Sequence, residues 1–168
     1  MIKTKIFFFI LLIFFSFSME LFADKEGRED TSFLKVKNSN FKKGNDALKQ
    51  ALSYRNKNKI EKSNKRAEKA LGYFILANEE TPDNTEILNL LGLSYYLIGD
   101  TIMSEIYYQE GLNIEPQNNS LNQGLGELYF VTKRIDQAKK ILKVLKKCNC
   151  KEYHELKEII ALRKNPRY

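Results

Sequence analysis

Apolar residues recur at helical spacing through this chain, and polar turns punctuate them. The clearest stretch runs from Thr85 to Pro116, TEILNLLGLSYYLIGDTIMSEIYYQEGLNIEP. It holds two apolar-periodic runs separated by Gly99-Asp100 and closed by a proline, the pattern of two helices joined by a tight turn. Earlier, Ala67, Ala70, Leu71, Phe74 and Ala77 form an apolar stripe at helical spacing, with Lys62, Lys65, Arg66 and Lys69 on a separate arc. Near the end, KEYHELKEIIALRK places Tyr153, Leu156, Ile159 and Ile160 on one side of a short helix.

The pattern repeats at an interval of 34 residues. Leu91-Gly92, Tyr95, Ser104, Tyr108 and Gly111 become Leu125-Gly126, Tyr129, Ala138, Leu142 and Leu145, with Cys150 where the first set has Pro116. Small residues recur where two helices must approach, and bulky ones recur where the gap must be filled. The preceding unit fits in two ways. Tyr54 aligns with Tyr95, while Ala70, Phe74, Ala77 and Pro82 align with Ser104, Tyr108, Gly111 and Pro116. The two alignments differ by seven residues, about two helical turns. A first repeat of about 44–84 with a second helix two turns longer is therefore expected.

Leu91-Gly92, Tyr95, Tyr108, Gly111 and Pro116 in one unit, with Leu125-Gly126, Tyr129, Ala138 and Leu145 in the next, resemble the tetratricopeptide repeat (TPR), whose unit is an antiparallel helix pair. The resemblance implies an all-α, right-handed α-solenoid of about three TPR-like helix pairs (44–84, 85–118, 119–152). A C-terminal capping helix at 153–164 would shield the end of the stack. It also implies that the first helix of each pair lines an inner groove. Glu86, Asn89, Leu93, Tyr96 and Leu97 would face that groove, with Ser120, Gln123, Glu127, Phe130 and Val131 at the matching positions. This surface suits a peptide or helix with apolar anchors and positive charge. The alternative is that Tyr96, Phe130 and Leu93 pack between repeats or under the cap. Some family members bind acidic C-terminal tails through basic groove residues; here only Arg55 stands at such a position.

The chain opens with MIKTKIFFFILLIFFSFSMELFA, which reads as a signal peptide over 1–23: Lys3 and Lys5, then an apolar run from Ile6 to Phe15 too short to span a bilayer. The alternative is an uncleaved anchor in the inner membrane. Export to the periplasm or outside the cell follows, and nucleic acid is then not an expected partner. Residues 24–40, with mixed charge and no clear period, read as a disordered spacer ahead of the 41–168 solenoid.

Charge changes the picture further. From Lys35 to Lys69 there are 12 basic residues against 3 acidic; from Leu71 to Phe130 there are 9 acidic residues and no Lys, Arg or His; from Val131 to Tyr168 there are 12 basic against 4 acidic. An acidic middle between basic ends speaks to association and steering. The Lys62, Lys65, Arg66 and Lys69 stripe could touch an anionic membrane surface or stay a solvated face, and self-association by charge complementarity is geometrically open.

Cys148, Cys150 and His154 are the one cluster carrying chemistry. Zinc or copper would want such groups, although a structural zinc site needs a fourth ligand. The other readings are a disulfide across one residue, active in thiol exchange, pairing with a cysteine of another chain, or small residues filling a turn. There is no Gly-rich phosphate loop, no serine nucleophile motif and no second histidine. The sequence is thus read as a non-catalytic protein-interaction scaffold of the cell envelope, needing no cofactor, with a thiol-redox or metal-handling module as the alternative.

Overall fold

The computed structural model describes residues 31–162, with side chains from residue 39. The signal peptide at 1–23, the first part of the spacer (24–30) and the last two residues of the cap (163–164) lie outside the described residues. The chain divides into two units, Met1–Lys35 and Val36–Tyr168. Of the first, only the opening of a helix is described, and the packing below is that of the second.

Every regular element among the described residues is an α-helix: α1 (Thr31–Asn56), α2 (Ile60–Glu80), α3 (Thr85–Ile98), α4 (Thr101–Ile114), α5 (Asn119–Val131), α6 (Ile135–Leu145) and α7 (Lys151–Leu162). From α2 onward each helix packs against the next, and α5 also packs against α3 and α7. None of the described helices is long and apolar enough to cross a membrane.

The turns explain where the helices stop. The backbone reverses through a left-handed residue at Asn58, Gly99 and Lys133, between α1 and α2, α3 and α4, and α5 and α6. Asp83 and Asn149 do the same between α2 and α3 and between α6 and α7. Asn and Asp tolerate that conformation better than other non-glycine residues. Restarts are capped. Asn84 Oδ1 accepts from the backbone N–H groups of Glu86 and Ile87 at 3.0 and 3.2 Å, and Asn118 Oδ1 accepts from Leu121 N at 3.1 Å. These two caps stand at the same place in successive units. Glu115 joins them, accepting from Thr85 Oγ1 and Asn118 Nδ2, both at 2.8 Å.

Buried side chains follow the 34-residue interval. Ala70, Ser104 and Ala138 are all fully enclosed, and Ala77, Gly111 and Leu145, two turns further along, are also buried. At the intervening position Phe74 and Tyr108 fill the gap. The Tyr108 ring from α4 is inserted between two glycines on two other helices. A Cβ at Gly92 on α3 would lie 2.6 Å from Tyr108 Cε1, and one at Gly124 on α5 would lie 2.7 Å from the same atom.

The first hairpin is longer on both sides. α2 has 21 residues against 14 in α4, the two extra turns expected from the misaligned repeat. α1 lengthens to match, and its helix begins at Thr31, inside the stretch read as a spacer. From Asn40 onward this helix is held by α2. Its added length offers Phe74 and Glu80 to α1, and these take Gly44, Phe41 (ring centroids 6.3 Å apart) and Asn40, whose Nδ2 donates to Glu80 at 2.7 Å. Weak local periodicity is overridden by these distant contacts.

Replacing Gly92 by Ala pushes a methyl into a ring that has no room to retreat. We expect a loss of about 1–3 kcal/mol, read as a lower urea midpoint. Gly72 is the control, since it lies within α2 and its Cβ would meet nothing within 4 Å. Gly72→Ala should raise stability by roughly 0.5–1 kcal/mol through helix propensity alone. Equal effects at the two positions would show that the Tyr108 slot is not a constraint.

Candidate functional site

The inner-face positions of α3 and α5 are matched in sequence but not in environment. On α3, Glu86 is exposed, Asn89 and Tyr96 are half-buried, and Leu93 is 9% exposed at the floor between them. They lie three, four and three residues apart, on one arc of the helix. Tyr96 packs against both halves of the core, the cluster around Leu91 and the cluster around Tyr108 and Leu125. Phe130, at the equivalent position on α5, is also half-buried and packs against the second cluster.

On α5 the polar positions are closed. Gln123 and Glu127 are each only 1% exposed, so they do not line an open groove as expected. Gln123 Nε2 donates to Glu127 Oε1 and to Glu155 Oε2 of α7, both at 2.8 Å. The cause is close approach by α7. Leu156 and Ile159 of α7 are buried, and a Cβ at Gly126 on α5 would lie 2.5 Å from a Leu156 methyl. A helix with its own apolar stripe thus covers this part of α5.

Arg55, the one basic side chain available to an acidic tail, is engaged. Its guanidinium donates to the carbonyl of Leu97 at the C-terminal end of α3, a favourable place for a cation. With Asn64, Tyr96 and Leu97 it borders a hollow of about 260 Å³.

The first hairpin carries a different surface. Lys62, Lys65, Arg66 and Lys69 of α2 surround an open concavity of about 620 Å³, completed by Glu61 and by Tyr54 from α1. A neighbouring hollow of about 180 Å³ shares Arg66 and Lys69 and adds Lys43, Asp46, Gln50 and Tyr73. Lys43 and Lys69 stand 5.8 and 6.0 Å from the centre of the Tyr73 ring. The stripe legible in the sequence is thus half of a two-helix basic face. The contributions of Tyr54 and Lys43 were hidden because they come from the partner helix.

Cys148 and Cys150 are bonded to each other, and neither cysteine is free. Their sulfurs are therefore committed, and among the described residues no group of three or more His, Cys, Asp or Glu is placed to hold a metal ion. His154 Nε2 sits 3.1 Å from Asn149 Oδ1 and its ring packs edge-on against Tyr153.

The chain matches no protein-family model, and no curated protein matches it in sequence.

Three tyrosines report on this interior. Burial raises the pKa of Tyr96, the Glu127 carboxylate adds to the rise, and Arg55 opposes it. Burial also raises Tyr107 and Tyr129. A folded-state pKa above the unfolded value means that the unfolded chain loses protons first. Stability is then fully present below the ordinary value near 10.0 and declines as pH rises through the folded pKa values. Absorbance titration at alkaline pH should show part of the tyrosine signal ionising late in the native protein and merging with the rest in denaturant. A single titration step at the ordinary value in both states would contradict this packing.

Proposed function

We propose that this chain is a TPR-like, right-handed solenoid that serves as a non-catalytic protein-interaction module, exported to the periplasm or beyond by its opening segment. It engages a peptide or helix bearing apolar and basic side chains. The observation that carries this reading is the asymmetry between the two inner faces. On α5 the polar positions Gln123 and Glu127 are closed by α7 and only Phe130 stays half-open, while on α3 Glu86 is exposed and Asn89 and Tyr96 are half-buried along one arc, inside a 60-residue zone (71–130) without a single basic side chain. Tyr96 and Phe130 supply rigid apolar area at little entropy cost, Leu93 supplies the floor, and Glu86 selects positive charge. Asn89 is placed to bond partner backbone. Gln123 and Glu127 support this face from within instead of touching the ligand.

Crosslinking of the folded protein in its native compartment, with the captured partners compared between wild type and variants, tests the reading. Tyr96→Ala/Phe130→Ala should lose the partner. Glu86→Lys, at an exposed position that leaves the core intact, should weaken capture of the same partner. A partner list unchanged in both variants removes this face from the account.

The basic face of the first hairpin favours a second, weaker association. Five cations (Lys43, Lys62, Lys65, Arg66 and Lys69) and two tyrosine rings, against the two carboxylates Asp46 and Glu61, surround shallow hollows that suit an anionic membrane surface, at about 1 kcal/mol per cation near the headgroups. That magnitude gives reversible, salt-sensitive attachment and not anchoring. Co-sedimentation with anionic vesicles should exceed that with neutral ones and fall as salt rises, and Lys62→Glu/Lys65→Glu should abolish the difference. Equal sedimentation with both vesicle types would remove lipid as an occupant of this face.

A further inference from the structure

The loop between α6 and α7 carries a covalent bond that the interaction reading does not use. It joins residues two apart, Cys148 and Cys150, with only Asn149 between them. The stabilisation a crosslink gives rises with the length of the loop it closes, and this loop is about as short as one can be. The helices on either side are already held by Leu145, Leu156 and Ile159, all buried. The bond is therefore poorly placed to act as a structural staple.

Its two sulfurs are set in unlike surroundings. Cys148 is exposed, while Cys150 is half-buried. The carbonyl of Cys150 accepts the first backbone bond of α7, from His154 N at 3.3 Å, so Cys150 stands at the N-cap of this 12-residue helix. A thiolate there would face the unpaired N–H groups of the first turn and the positive end of the helix dipole, which lowers a cysteine pKa. Cys148 Sγ instead lies 2.9 Å from the carbonyl oxygen of Leu145, at the C-terminal end of α6. Once reduced, its thiol would donate to that oxygen, and a carbonyl favours the protonated form. Lys146, Lys147 and Lys151 are exposed around the loop. Asn149 adopts φ 48° and its side chain meets His154, which holds the bend between the two sulfurs.

We propose that Cys148–Cys150 is a thiol–disulfide exchange site that passes its disulfide to a dithiol in a protein or peptide, with Cys148 as the sulfur attacked and Cys150 as the leaving group. A thiolate of the partner attacks Cys148 Sγ. The partner–Cys148 bond forms as the Cys148–Cys150 bond breaks, and Cys150 departs as a thiolate at the helix N-cap. The partner's second thiol gives up its proton and attacks the partner sulfur of the mixed disulfide. Cys148 is released and takes up a proton at the Leu145 carbonyl. Two electrons pass from the partner to this chain: the partner dithiol is oxidised to a disulfide, and Cys148 and Cys150 are reduced. Of the two protons lost by the partner, one goes to Cys148 and the other to Cys150 or solvent. Lower pKa makes a better leaving thiol, so the asymmetry sets both the site of attack and the rate.

The test uses the full chain, purified without reductant, with reduced glutathione and a reduced two-cysteine peptide as probes. Thiol counting should find no free thiol at the start. The peptide should emerge as its disulfide, one per protein molecule, with helical circular dichroism retained. Acid-quenched mapping after brief exposure to glutathione should place the adduct on Cys148. The disulfide form of a peptide spanning 146–151 carries the same ring without the helix, and the intact protein should react faster than it. The direction follows from the lower pKa of a leaving thiol at the helix N-cap, which departs faster than the same thiol in the short peptide. Free thiols at the outset, adducts on Cys150, a rate equal to that of the short peptide, or loss of helix on reduction would each overturn the proposal.

Discussion

The structure depends on a single ring in a slot. Tyr108 reaches from α4 between Gly92 on α3 and Gly124 on α5, and neither side has space for one more carbon. Three helices from two successive units are thereby set at one spacing. An interior packed to crystal-like density transmits such a constraint, because a shift at one helix must be answered at its neighbours. The stacked rings of Tyr95 and Tyr107, 5.4 Å apart, and the Arg134 guanidinium follow from that spacing. Arg134 lies 4.5 Å over the Tyr129 ring and 2.7 Å from Glu105, clamping the start of α6 to α4.

The same device is reused with different parts. Phe74 fills against Gly44 in the first hairpin, and Leu156 fills against Gly126 at the end of the chain. In the first hairpin the contact sits a heptad farther from the turn. Seven residues return a helix to nearly the same face, so two turns can be added to both helices without rotating the apolar stripe out of the core. This explains how one unit can be longer and still dock: Ala67, Ala70, Phe74 and Ala77 all stay buried along the extended α2.

What could be read from the sequence was whatever depends on side-chain size at fixed spacing. Ala70, Ser104 and Ala138, small residues 34 positions apart, are all fully buried, and a pattern of size at fixed spacing is written locally. The start of α1 was not legible, since residues 31–40 have no periodicity of their own and Asn40 is held by Glu80, 40 positions away. The candidate site divides the same way. Glu86, Asn89, Leu93 and Tyr96 share an arc, as helical geometry demands. Gln123 and Glu127 share the matching arc, but whether polar residues at such positions face solvent or a neighbour is decided by α7, more than 20 residues downstream. Cysteine spacing left bond, metal and turn all open, because spacing fixes reach and not the partner.

Burial does not remove Glu127 from the electrostatics of the inner face. Its carboxylate is closed off behind Gln123 and α7, yet its charge contributes to the raised pKa of Tyr96 on the neighbouring helix. A charge within protein is screened less by salt than one in water, so its field reaches the open side of α3 more effectively than an exposed carboxylate at the same distance would. Arg55 opposes it, its guanidinium keeping its full charge while it donates to the Leu97 carbonyl. Two carboxylates therefore bear on the arc of Glu86, Asn89 and Tyr96, with Arg55 acting against them. Glu86 carries its carboxylate at the exposed surface, and Glu127 carries its own behind Gln123 and α7. Such a surface can attract a basic side chain without forming a desolvated ion pair with both carboxylates, which would be the costly way to bind a cation.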